Sequence, residues 1–169
     1  MIKRCVALMV VVFFLSPIFS EAQDVKDGDG KTTLPDGSVY EGQIKSGAFE
    51  GKGVLTFPNG DRYEGGFSGG KYNGSGELDY ADQRQYIGGF KNGLYDGQGV
   101  LLYEDGSKYD GHFKEGLLNG QGTLSYAEGD NYKGGFKDGE FDGAVAVDSA
   151  GKPIIIIAPK IPAGTKKKL

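Results

Sequence analysis

Residues 63–80 read YEGGFSGGKYNGSGELDY, and this stretch decides the fold. In its first part, Tyr63, Gly65 and Phe67 occupy alternate positions, and the apolar and glycine positions alternate in the same way from Tyr72 to Tyr80. A period of two is that of a β-strand, whose successive side chains point to opposite faces of a sheet. Between the two runs lies Ser68-Gly69-Gly70, where glycine supplies the positive φ of a three-residue hairpin loop. The stretch therefore predicts a β-hairpin with one apolar and one polar face.

The same pattern returns along the chain at a constant spacing of 23 residues. The repeated tyrosines are Tyr40, Tyr63, Tyr86, Tyr109 and Tyr132. Two residues after each tyrosine stands a glycine: Gly42, Gly65, Gly88, Gly111 and Gly134. Four residues after each tyrosine stands Ile44 or a phenylalanine: Phe67, Phe90, Phe113 and Phe136. Self-similarity at one fixed period indicates a repeat array, in which each unit buries its apolar face against its neighbours.

Glycine is unusually abundant, with 31 in 169 residues, where average usage of about 7% would give roughly 12. Glycine at alternate strand positions weakens a strand unless something packs closely there. We expect aromatic rings from neighbouring strands to lie flat across this bare backbone, and the sheet to bend there. The prediction is an all-β fold: a single elongated, curved antiparallel meander of consecutive β-hairpins, with about ten strands, an aromatic-lined inner face and a polar outer face.

The repeated pattern, Tyr-x-Gly-x-Phe-x-x-Gly-x-aromatic-x-Gly-x-Gly-x-Leu-x-Tyr, resembles the MORN (membrane occupation and recognition nexus) repeat. The resemblance covers about Tyr40 to Val147, with half a unit before it. It implies the fold of a MORN array and a role as a scaffold that joins membranes or other proteins. Arrays of this kind also accompany catalytic domains, but residues 144–169 are too few to hold one, so we expect a stand-alone array.

The first 22 residues have the layout of a secretory signal peptide. A basic start (residues 1–4) is followed by an apolar run (residues 5–15), and Ser20 and Ala22 place small residues where a signal peptidase reads them. We expect cleavage after Ala22 and export to the periplasm, the cell envelope or the extracellular space. The alternative is an uncleaved anchor, which the short apolar run disfavours.

The remaining chain divides into three segments. Residues 23–39 are predicted to form an acidic linker and an N-terminal half-repeat cap. Residues 40–148 hold five 23-residue MORN-like repeats. Residues 149–169 form a C-terminal capping strand, expected at Ile154 to Ile157, and a basic tail.

The distribution of charge along the chain limits the kinds of partner that the protein can bind. Residues 23–149 carry 12 basic and 22 acidic side chains, a net charge of −10, and such a body repels nucleic acid and anionic lipid heads alike. The last twenty residues hold five lysines and no acid. The candidate contacts to an anionic membrane surface are Lys160, Lys166, Lys167 and Lys168, although a solvated terminus is the simpler interpretation.

The inventory for catalysis is poor. Cys5 lies in the signal, and His112 is the only histidine, predicted to be exposed on the polar face. Asp24, Asp27 and Asp29 suggest a calcium loop, but its position 12 is not glutamate. We therefore predict no catalytic residues, no metal and no cofactor.

The favoured function is a noncatalytic interaction scaffold. Its partner would be an unidentified protein, or a second copy of the chain, met by the curved sheet or by its edges. The N-terminal edge near Thr32 and Leu34 is expected to be the more available, because proline and lysine protect the C-terminal edge. The alternatives are membrane association through the basic tail and, third, a carbohydrate-binding groove lined by the aromatic residues.

Overall fold

The computed structural model describes residues 27–142, 146–147 and 153–154. These residues form strands and turns. Eleven strands are hydrogen-bonded in chain order, each antiparallel to the next. They are β1 (Gly28–Thr33), β2 (Val39–Lys45), β3 (Ala48–Thr56), β4 (Arg62–Ser68), β5 (Lys71–Asp79), β6 (Gln85–Lys91), β7 (Leu94–Leu102), β8 (Lys108–Lys114), β9 (Leu117–Ser125), β10 (Asn131–Lys137) and β11 (Glu140–Phe141). The predicted single meander of hairpins is confirmed: the half repeat supplies β1 and the five units supply β2 to β11.

The turn inside each hairpin has two residues, not the three expected from sequence. Ser68 pairs directly with Lys71, so only Gly69 and Gly70 lie outside the strands. Both have positive φ, 55° and 78°, the conformation whose twist matches that of the flanking strands. A non-glycine residue adopts the first of these positions in the other units, as Asn92 does with φ 52°.

Four hairpins contain a bulge directly after a glycine, namely after Gly42, Gly65, Gly88 and Gly111. Gly65 pairs with Gly76 and Phe67 with Tyr72, so that Gly66 alone faces three residues of β5. Gly74, within those three, has φ +80°, which a side chain rarely adopts. Bulges bend a strand and increase its twist. The repeated bulges bend the sheet in the same way at each of these hairpins, and this gives the sheet its curvature.

The apolar face forms the core. The residues with the least exposure include all five repeated tyrosines and all four repeated phenylalanines. Tyr63 shows the packing: its ring stacks on Tyr72 with centroids 3.7 Å apart, and meets Phe67 and Phe90 edge-on at 5.1 and 5.0 Å. Phe90 belongs to the next unit. The tyrosines of the first four units join two repeats in this way, so the aromatic ladder runs along the array.

The predicted C-terminal capping strand, Ile154 to Ile157, lies mostly outside the described residues. β12 (Ala146–Val147) and β13 (Pro153–Ile154) form a separate two-stranded sheet and do not extend the main one. Proline lacks the N–H that a ladder needs, and β11 is only two residues long. Ile155, Ile156 and Ile157 lie outside the described residues, so the predicted closing strand is seen only at Ile154.

Candidate functional site

The repeat-defining tyrosines are buried in the core. Each repeated tyrosine is at most 1% exposed, and its hydroxyl donates a hydrogen bond to the carbonyl three residues on. For Tyr63 the acceptor is the Gly66 carbonyl, at 2.8 Å. The ring covers the two paired glycines of its hairpin: a Cβ at Gly65 or at Gly76 would lie 2.5 Å from the Tyr63 hydroxyl. Glycine is therefore required at both positions, as the sequence predicted.

Burial changes the chemistry of these phenols. It raises the pKa of Tyr40 to about 12 and that of Tyr63 further, because removal from water disfavours the phenolate. Tyr95 is 6% exposed and its hydroxyl is hydrogen-bonded to that of Tyr80 at 2.5 Å; burial raises its pKa as well. In residues 27–142 the aromatic side chains pack mainly against one another.

The open surface lies on the opposite, polar face. There, side chains from successive strands stand directly opposite one another in a row that crosses the sheet. In chain order the row is Lys31, Glu41, Val54, Glu64, Glu77, Ile87, Val100, Asp110, Thr123 and Lys133. Its members include the residue between the tyrosine and the glycine of every unit.

A groove of about 1240 Å³ follows the first part of this row, from β1 to β7. Two apolar side chains line it, Val54 and Ile87. Ile87 is 48% exposed, which makes it one of the two large exposed hydrophobic residues in the described chain. From the sequence we expect a groove, if there is one, to lie on the aromatic face. The groove opens on the polar face, because the rings fill the space on the aromatic face.

The groove is acidic. Its lining carries Asp29, Glu41, Glu64 and Glu77 against two lysines, Lys31 and Lys52. Lys31 is 3.2 Å from Glu41, whereas Glu64 stands directly opposite Glu77. Two like charges at opposed positions cost stability. Arg62 already pairs with Glu64, and the Gln85 side-chain amide donates a 2.9 Å hydrogen bond to Glu77. The lining still carries four carboxylates against two lysines, so the groove favours a basic over an acidic ligand.

The remaining predicted features do not converge on a catalytic arrangement. His112 is exposed as expected, and the amide nitrogen of Gln98 lies 3.1 Å from its Nδ1. Within residues 27–142 and the two short C-terminal strands, no group of three or more potential ligands is arranged to hold a metal ion. In that same part of the chain no helix has the length and hydropathy to cross a bilayer. Residues 1–26 and the tail lysines, Lys160, Lys166, Lys167 and Lys168, lie outside the described residues.

Sequence reasoning missed the groove, although it left a signal. The position between tyrosine and glycine holds a charged residue in four units and Ile87 in the third. An apolar side chain on an otherwise polar face indicates a contact surface. The regular aromatic and glycine positions dominate the repeat pattern, so this single apolar substitution is easily overlooked.

These features define a class of protein: an open repeat array, with an internal aromatic ladder and an acidic groove on its polar face. The family model for the MORN repeat matches residues 40–62, 63–83, 86–108, 109–131 and 132–144. The chain belongs to the MORN repeat family. No curated protein sequence matches it.

Two solved structures show limited similarity. One is the TCP domain of SAS-4 (dCPAP) in complex with a proline-rich motif of Ana2 (dSTIL) of Drosophila melanogaster: identity is 12%, 73% of this chain and 68% of that chain are covered, and the TM-score is 0.45. The other is the TCP10 domain of Danio rerio CPAP in complex with a peptide of Danio rerio STIL, with 23% identity, 76% and 78% coverage and a TM-score of 0.23. Scores this low carry no argument about this chain.

Proposed function

We propose that this protein is a noncatalytic MORN scaffold, exported from the cytoplasm, which binds a basic segment of a partner protein in its polar-face groove. The observation that carries the proposal is the groove itself, with Ile87 half exposed on its lining. An aliphatic side chain of this exposure gains about 25 cal/mol for each Å² that a partner covers. The surrounding carboxylates attract a cationic segment and exclude an anionic one.

The electrostatics favour a protein over a membrane as the ligand of the groove. Four acidic residues line it, and the body carries a net charge of −10, so an anionic bilayer would be repelled from this face. The basic tail remains the runner-up contact, since each lysine near an anionic surface contributes on the order of 1 kcal/mol. Export rests on the sequence of residues 1–22.

Charge reversal separates the two candidates. The double variant Glu64→Lys/Glu77→Lys should lose the native partner in a pull-down from the host, while the matched variant Asp110→Lys/Glu140→Lys, which makes the same change of charge at exposed positions outside the groove, should keep it. Deletion of residues 160–169 should have no effect on this binding.

Sedimentation with anionic phosphatidylserine vesicles tests the runner-up. The proposal expects little binding by the wild type. Salt-sensitive binding that disappears with residues 160–169, together with a pull-down that the Glu64→Lys/Glu77→Lys variant leaves intact, would replace the groove with the membrane as the functional contact.

A further inference from the structure

The N-terminal edge of the sheet ends in half a repeat. β1 pairs with β2 along Gly28–Thr33, and no strand of the described chain pairs with its other side. Counted by the repeat length, Gly30 and Thr32 correspond to Gly53 and Leu55 of β3. The missing half of this unit is the strand that carries a tyrosine and, two residues later, a glycine.

The place of that tyrosine is open. In three complete units, the glycine equivalent to Gly30 is so tightly covered that an added Cβ would lie 2.5 Å from a tyrosine hydroxyl, as at Gly53 beneath Tyr40. At Gly30, the closest atom to such a Cβ is Cδ1 of Ile44, 3.9 Å away. No ring of the described residues therefore covers the backbone of Gly30, although a tyrosine ring covers the equivalent glycine of the complete units.

The sequence of 169 residues holds no Tyr-x-Gly segment outside the eleven strands. Residues 1–27 contain neither tyrosine nor glycine. In a second copy, the Tyr-x-Gly sequences of β2, β4, β5, β6, β7 and β8 lie in strands paired on both sides. The remaining one, in β10, would set Lys133 opposite Lys31, which is unfavourable.

We propose that the free edge of β1 binds an extended segment of another protein by β-strand addition, with a tyrosine seated over Gly30. The register follows from β2 and β3, where Tyr40 faces Leu55 and Gly42 faces Gly53. The partner tyrosine then faces Thr32, and its glycine faces Gly30. Main-chain hydrogen bonds supply affinity in this mode, and the side-chain pocket supplies specificity.

Lys31 determines which residue is favoured between the tyrosine and the glycine of the bound segment. On the polar face that residue stands directly opposite Lys31, as Glu41 stands opposite Val54 in the first complete unit. An acidic side chain is favoured there. The recognised sequence is therefore Tyr-Asp-Gly or Tyr-Glu-Gly in an extended segment. The place of the ring is the outer edge and core side of β1, whereas Lys31 and the Gly30 backbone also line the groove on the polar face. The proposal does not require the function proposed for the groove, and the variants below test the two separately.

The test uses the purified protein and a fluorescent peptide with the sequence of residues 61–68, which contains Tyr-Glu-Gly. Fluorescence anisotropy should show saturable binding to the wild type. Gly30→Ala should weaken binding by roughly tenfold or more, since it fills the place of the anchoring ring. A peptide with Tyr63→Ala should lose a similar amount.

Controls separate this outcome from misfolding and from the groove. Gly30→Ala should keep the wild-type melting temperature, because its Cβ meets only an ordinary contact at 3.9 Å. Thr33→Ala, on the polar face of the same strand, and Ile87→Lys, in the groove, should both bind the peptide normally.

Three results would overturn the proposal. They are the absence of peptide binding by the wild type, equal binding by a folded Gly30→Ala variant, and a wild-type dimer in light scattering that Gly30→Ala dissociates. The last would make the edge an interface between copies of this chain. Loss of the pull-down partner in the Glu64→Lys/Glu77→Lys variant concerns the groove alone.

Discussion

Gly99→Ala tests the packing that holds the array together. A Cβ at Gly99 would lie 2.5 Å from the hydroxyl of Tyr86 and 2.7 Å from Cε2 and Cζ of the same ring. The ring has no space to move aside: Tyr86 is fully buried, stacked on Tyr95 at 3.6 Å and held edge-on by Phe90 and Phe113.

The cost follows from two effects. Overpacking of a core typically costs about 1–3 kcal/mol, and displacement of the ring also weakens the 2.9 Å hydrogen bond from Tyr86 to the Gly89 carbonyl, worth about 1 kcal/mol. Replacing glycine in a strand returns roughly 0.5–1 kcal/mol. We therefore expect Gly99→Ala to lower the free energy of unfolding by roughly 1–3.5 kcal/mol.

Urea denaturation, followed by far-ultraviolet circular dichroism, measures this change. Gly30→Ala is the matched control, at the equivalent repeat position without a covering ring, and should be near neutral. In a Tyr86→Leu background, whose side chain ends short of Gly99, the second substitution should cost little. Equal destabilisation by Gly99→Ala and Gly30→Ala would refute the assignment of glycine to ring contact.

Three further predictions follow from the same packing and from the sequence. Phe90→Ala should cost roughly 3 kcal/mol or more as a large-to-small core change, whereas His112→Ala should stay within about ±0.5 kcal/mol; comparable shifts of the melting temperature would show that the faces are reversed. Stability should be constant up to pH 10 and fall as the pH rises towards 12, because burial raises the pKa of Tyr40 from 10.0 to about 12 and the unfolded chain loses its phenolic protons first; phenolate absorbance that rises well before unfolding would contradict this. Mass spectrometry of the protein from its host should give Gln23 as the first residue, and an intact Met1 in the cytosol would exclude export.

Most of the fold could be predicted from the repeat period, because the same residue types recur at the same positions in each unit. Tyr63, Gly65 and Phe67 fixed which face is apolar, and glycines opposite glycines fixed where rings pass over the backbone. The length of the hairpin turn was mistaken, since positive φ at Ser46 or Asn92 cannot be read from residues that are not glycine.

The groove could not be predicted from the sequence, for a different reason. It depends on the curvature that the bulges impose and on which face the rings fill. The repeat places Ile87 and Glu77 on the polar side, but only the register shows that they stand opposite each other. The repeat period shows that no tyrosine precedes Gly30 at the expected spacing, but only the atomic contacts show that no other ring of the described chain covers this glycine.

Site-specific photo-cross-linking in the native host tests the binding function most directly. A photoreactive amino acid replaces Ile87 in the groove in one variant, and Lys133, two repeats further along the same row and outside the groove, in the other. The account predicts a discrete cross-linked protein from position 87, lost with Glu64→Lys/Glu77→Lys, and none from position 133. Equal cross-linking at both positions, or capture of lipid in place of protein at position 87, would contradict it.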